Sequence, residues 1–118
     1  MEVKIQTIVS EIQAILGRKN GKEQFVYGDF NEEPSLPYGN YAIDDTRNIF
    51  SDNVCEIRQV FYVIRLVTGK KNFALEKRIE DVFTKYEIAW ECDGDENFKR
   101  DRVNVTEWTI CLVESKTR

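Results

Sequence analysis

Asp44-Asp45, Glu56 and the Lys70-Lys71 pair are the residues whose types fit metal-assisted hydrolysis, because two carboxylates can hold a magnesium ion while a lysine orients a water. Their spacing is not diagnostic, and acidic pairs beside loops are more often solvated charge. Asp93-Gly94-Asp95-Glu96 opens like a calcium loop, but the alternate oxygen ligands stop at Asn97-Phe98 and no glutamate closes the loop, so it reads as a turn. The 6 glycines form neither G-x-x-x-x-G-K nor G-x-G-x-x-G. With no histidine, the commonest general base and transition-metal ligand are missing, as is every Ser-His or Cys-His nucleophile. Cys55, Cys92 and Cys111 are odd in number, lack a Cys-x-x-Cys spacing and sit in apolar, strand-like settings, which reads as reduced core thiols. The expectation is a chain with no catalytic residue, no cofactor and no metal site. A magnesium-dependent nuclease is the alternative built on the acidic cluster.

The elements that must position any site come from 118 residues, the length of one domain, with 42% apolar and 32% charged residues. That is enough chain to bury a core without disulfides or a metal. The longest apolar run, Val60 to Ile64, falls far short of the ~20 residues that span a bilayer. The start Met1-Glu2-Val3-Lys4 shows no apolar signal core, so synthesis in the cytoplasm is expected. A formal net charge of -4 argues against binding nucleic acid by phosphate neutralisation.

Ile5, Ile8, Val9, Ile12, Ile15 and Leu16 recur at helical steps and Gly17 stops them, predicting a helix over 2–16. Residues 18–24 read as a loop and 25–30 as a strand. Pro34 and Pro37 bracket a loop, and 38–44 alternates as a second strand that hairpins with the first. A polar connection over 45–52 leads into a central strand over 53–68, apolar on both parities from Val60 to Ile64. Asn72 caps a helix over 73–85 whose stripe is Leu75, Ile79, Val82, Phe83 and Tyr86, with Glu76, Lys77, Glu80 and Asp81 outward. A half-buried strand over 88–92, a turn at 93–95 and a last strand over 102–113 complete the chain. Val103 and Val105 occupy one parity of that strand and Trp108, Ile110 and Leu112 the other, which predicts a bulge near Thr106-Glu107. The order α-β-β-β-α-β-β defines an α+β domain, with a mainly antiparallel sheet of about five strands carrying both helices on one face. Trp90 and Trp108 are expected to be largely buried on adjacent strands.

Two helices cover one face of such a sheet and leave the other, where the central strand is also apolar. Either twist and long side chains close that second face within the monomer, or a neighbouring subunit covers it. Charge falls in blocks: residues 29–56 hold seven acids and Arg47 for a net -6, 57–71 are +4, 88–96 are -4 and 97–118 are +2. Such blocks are ordinarily solvated faces, but in a self-assembling protein they register one subunit on the next. Tyr27, Tyr38, Tyr41 and Phe50 read as surface aromatics, and the acids around them favour protein over nucleic acid as the partner. The connection is longer than a hairpin needs, so Asp44, Asp45, Arg47, Asn48, Phe50 and Asp52 are the candidate protein-interface residues. Alternatively Phe50 plugs the underside of the sheet and the loop is inert.

Four stretches carry a resemblance: Tyr38-Gly39-Asn40-Tyr41-Ala42-Ile43, Phe50-Ser51-Asp52-Asn53-Val54, Ile64-Arg65-Leu66-Val67-Thr68-Gly69-Lys70-Lys71 and Leu75-Glu76-Lys77-Arg78-Ile79-Glu80. Over about residues 25–112 the chain resembles the small tail completion, or tail terminator, proteins of long-tailed phages and prophages of Gram-positive hosts. It departs in having Leu66-Val67-Thr68 where that family shows Leu-Tyr-Thr, and Trp108 where a tyrosine is common. The resemblance implies a virion protein without catalytic residues. Such a subunit forms a hexameric ring at the head-proximal end of the tail, stops the tail tube and meets the head connector. The remaining alternative is a monomeric, host-encoded binding or inhibitor protein.

Overall fold

The computed structural model describes residues 3–51 and 54–115. Helix α1 spans Ile5–Leu16 and buries Ile8, Val9, Ile12 and Leu16, the stripe its spacing predicts. It starts later than residue 2, with Val3 and Lys4 preceding it. Gly17 ends it at φ 77°, a backbone conformation only glycine adopts readily, and its N–H donates to the Gln13 carbonyl at 2.8 Å. The expected loop that follows is instead a tight hairpin, β1 (Arg18–Lys19) and β2 (Lys22–Glu23), turned by Asn20 and Gly21 at φ 54° and 75°.

Strand β3 (Phe25–Tyr27) is shorter than expected and pairs with β4 (Tyr38–Ser51) in parallel, not as a hairpin. The reason is the route of residues 28–37. Buried Gln24 donates from Nε2 to the Ser35 and Pro37 carbonyls at 2.6 and 3.0 Å, folding that segment back so that β4 restarts beside the beginning of β3. The Leu36–Pro37 bond is cis. Phe25 then lies on Gly39, where a Cβ would sit 2.5 Å from the Arg65 carbonyl oxygen and 3.1 Å from the Phe25 ring.

Strand β5 (Val54–Thr68) pairs antiparallel with β4 along nearly its whole length, so the expected polar connection over 45–52 is strand as far as Ser51. Thr46 and Ile49 suit a strand, and a register shift between Ile43 and Asp45 absorbs Asp44 as the extra residue of a bulge. Helix α2 (Phe73–Lys85) is capped by Asn72, whose Oδ1 accepts the Leu75 N–H at 3.0 Å. It buries Leu75, Ile79, Val82 and Phe83, as its spacing predicts, while Tyr86 is only partly buried at the helix end and Glu76, expected outward, is buried because Lys71 and Thr106 satisfy its carboxylate.

Strands β6 (Ala89–Phe98) and β7 (Val103–Ser115) form the last hairpin. Asp93-Gly94-Asp95 is not a turn but lies inside β6, and the register shift falls there, between Cys92 and Gly94. β7 therefore keeps one parity throughout: Asn104, Thr106, Trp108, Ile110 and Leu112 are all buried, and no bulge is needed at Thr106-Glu107. The apparent change of face arose because Asn104 and Thr106 are polar residues on the buried side.

The main sheet has the order β3-β4-β5-β7-β6 and is mixed, with one parallel and three antiparallel pairings. Both helices pack on the face that carries Val60, Tyr62, Ile64, Leu66, Trp108 and Ile110, giving the two-layer α+β architecture. The molecule measures 53 × 29 × 27 Å, and strands of 14 and 15 residues, at ~3.3 Å per residue, account for the long dimension.

Candidate functional site: the uncovered sheet face and the β4–β5 arm

Residues directly opposite one another in a sheet share a face, so the register assigns the second face residue by residue. In β5 it carries Gln59, Phe61, Val63 and Arg65, and in β7 Glu107, Thr109, Cys111 and Val113. No element of the described chain lies over its middle. Phe61, Val63 and Cys111 are half-buried, and Val113 is 46% exposed, leaving an apolar strip along the two central strands. A shallow depression of about 250 Å³, floored by Ala89 between Phe61, Glu91, Thr109 and Cys111, opens on it. The loop over 28–37 reaches one end of this face, where the Phe30 and Tyr38 rings meet edge to face with centroids 5.4 Å apart. Burial pushes the Cys111 thiol pKa up against the opposing pull of Arg47, so the thiol stays protonated at neutral pH.

The bulge at Asp44 decides what the arm presents. Before it, Tyr41 and Ile43 face the helices; after it, Asp45, Arg47 and Ile49 face the uncovered side, opposite Phe61, Gln59 and Ile57. Asp45 accepts the Thr46 N–H at 2.8 Å and pairs with Arg47 at 3.2 Å. The Arg47 guanidinium also lies 5.2 Å from the Phe61 ring centre. Of the candidate interface residues, Asp45 and Arg47 thus stand together at the border of the apolar strip, while Asn48 falls on the other face, opposite Arg58. The Phe50 backbone pairs with Cys55. Its side chain, and Asp52 altogether, lie outside the described residues. Ile49, 47% exposed, is an apolar arm residue that the sequence reading passed over.

Other expectations change with the register. Trp90 is 37% exposed rather than largely buried, because β6 is an edge strand; the Phe83 ring lies 6.0 Å from the indole. Cys92 is likewise exposed on β6 and not a core thiol, whereas Cys111 is half-buried. Tyr41 is buried against Phe25, not a surface aromatic, while Tyr27 is exposed.

The residues weighed for metal chemistry are not gathered. Asp45 sits opposite Phe61, and Lys70 lies beyond Thr68, seven residues or roughly 23 Å further along β5. Glu56's side chain is outside the described residues. A different polar group forms beneath α2: Lys71 Nζ bridges Glu76, at 2.8 Å, and Asp95, whose other oxygen accepts from Asn104 at 3.1 Å. Thr106 donates to Glu76 at 3.3 Å. Burial opposes the charge on Lys71, but its hydrogen bonds to Asp95 and Glu76 prevail and raise its pKa, and the Lys71 bond lowers that of Asp95. No buried side-chain nitrogen or oxygen among the described residues lacks a partner, so this group works as a clamp between α2 and the β6–β7 hairpin. Its one legible signal was Asn104 and Thr106 on the parity of Trp108.

No protein-family model matches the chain, and no curated protein matches it in sequence.

Proposed function

We propose that the chain is a structural, non-enzymatic subunit of a phage or prophage tail. Made in the bacterial cytoplasm, it assembles as a ring, hexameric by resemblance, at the head-proximal end. There it ends the tail tube and meets the head connector. The observation that carries the reading is the uncovered sheet face: an apolar strip on β5 and β7, bordered by the Asp45–Arg47 pair of the arm, on a chain with 21 acids and 17 bases. Such a surface is what a subunit brings to a larger assembly. The resemblance over about residues 25–112 supports a phage tail as that assembly.

In this reading the arm, with Asp44, Asp45, Arg47 and Ile49, touches a neighbouring subunit or the tail tube. The test is phage assembly with Arg47→Glu or Ile49→Ser, each first shown to melt like the wild type. Overlong or headless tails are expected. Normal-length, head-joined tails from both variants would remove the arm from the mechanism.

A further inference from the structure

Besides the uncovered face, the β6 edge and the outer surface of α2 are open among the described residues. The edge is poorly suited to pairing. A bulge interrupts it between Cys92 and Gly94, and Glu91, Asp93, Asp95 and Glu96 would repel a second acidic edge. The outer surface of α2 differs in both shape and charge. Phe73 is 74% exposed there, with the Lys71 ammonium 5.0 Å from its ring centre, and Lys77, Arg78 and Lys85 against Asp81 and, from α1, Glu11 leave it at net +1. Lys77 and Lys85 are engaged with Asp81 and Glu11, but Arg78 makes no ion pair among the described residues.

The opposite exterior of the molecule is its complement. On the uncovered face, β6 and β7 contribute Glu91, Asp93, Glu96 and Glu107, the last paired with Arg65 of β5 at 3.4 Å, for a net -3 beside the apolar strip and the depression over Ala89. We infer that the outer surface of α2 of one copy docks on the β6–β7 half of the uncovered face of the next. Phe73 is the apolar anchor, and Arg78 meets the acids. The occupant is a second copy because the two surfaces carry opposite charge on opposite sides of one chain. That contact is head-to-tail, which closes into a ring or runs on as a filament, and it gives each sheet a helix on both faces. The inference deepens the ring reading, and rests on it only in taking the chain to self-assemble.

Sedimentation velocity of the full chain over a concentration series, at low and high salt, reads the contact. The wild type is expected to grow past a dimer, and less so at high salt. Phe73→Ser, Val113→Glu and Lys77→Glu/Arg78→Glu should each weaken association at least about tenfold, equivalent to about 1.4 kcal/mol, with unchanged melting. Adding Glu91→Lys/Asp93→Lys to the α2 reversal should restore it. A species that stops at the dimer, dissociated by Val113→Glu but indifferent to Phe73→Ser, would show two uncovered faces pairing with each other and overturn the inference. A monomer at every concentration, or oligomers indifferent to all these variants, would overturn it as well. Tail assembly is a separate readout: normal tails built with variants that no longer associate would sink the phage reading and leave the contact standing.

Discussion

The indole N–H of Trp108 donates a 2.9 Å hydrogen bond to Oε2 of Glu80, so the largest fully buried side chain of the core is fastened to α2 as well as packed against it. Trp108 is 0% exposed and meets the Phe83 ring edge to face at 6.3 Å. Trp108→Ala should cost about 3–5 kcal/mol of stability in urea unfolding, from lost burial, the cavity and an unpaired Glu80. Trp90→Ala on the edge strand should cost only about 1–2 kcal/mol. Equal losses at the two sites would show that β6 is covered in solution.

Gly39→Ala is expected to destabilise by about 1–3 kcal/mol although it adds a single methyl group. That methyl would sit 2.5 Å from the Arg65 carbonyl oxygen, a backbone atom that can retreat only if β4 and β5 separate. A melting temperature within about a degree of the wild type would mean that the Arg65 carbonyl does not close on Gly39 as described.

The Lys71–Asp95 bridge sets a sign for the acid limb of stability. The Asp95 carboxyl is held below its usual range by its hydrogen bond from Lys71. Its contribution is therefore present above about pH 4, the ordinary carboxylate value, and is lost as pH falls through the lower folded value. Lys71, with a raised pKa, contributes below its ordinary value near 10.5 and loses that contribution as pH rises through the folded one. Thermal melts of Asp95→Asn should thus lie below the wild type near neutrality and converge with it in acid, giving a shallower acid fall. An unchanged acid limb would mean that the bridge is not populated.

Both helices were legible because their apolar spacing and their ends, Gly17 and Asn72, agree with each other. The uncovered face was legible too, since Val60 to Ile64 is apolar on both parities and two helices cannot cover both. What the sequence hid were facts of pairing. Nothing local to Phe25 says that β3 runs parallel to β4, because Gln24's hold on Ser35 and Pro37 decides it. The bulges at Asp44 and Asp93 were invisible because an acidic residue in a strand looks like a loop until its partner strand is known. Asn20-Gly21 is a hairpin signal, but its flanking strands are only two residues each, too short for an alternating pattern to mark them. Arg47 could be nominated from charge, but its place beside Phe61 depends on the bulge that turns it there.

The central claim is that the chain sits at the head-proximal end of a phage tail, and gold-labelled antibody against it, viewed by electron microscopy on intact particles and detached tails, tests that most directly. The account predicts label confined to one end of each tail, the end that joins the head, and its loss when the encoding phage lacks the chain. Label spread along the tube, label at the host-facing tip, or particles that carry none would contradict it.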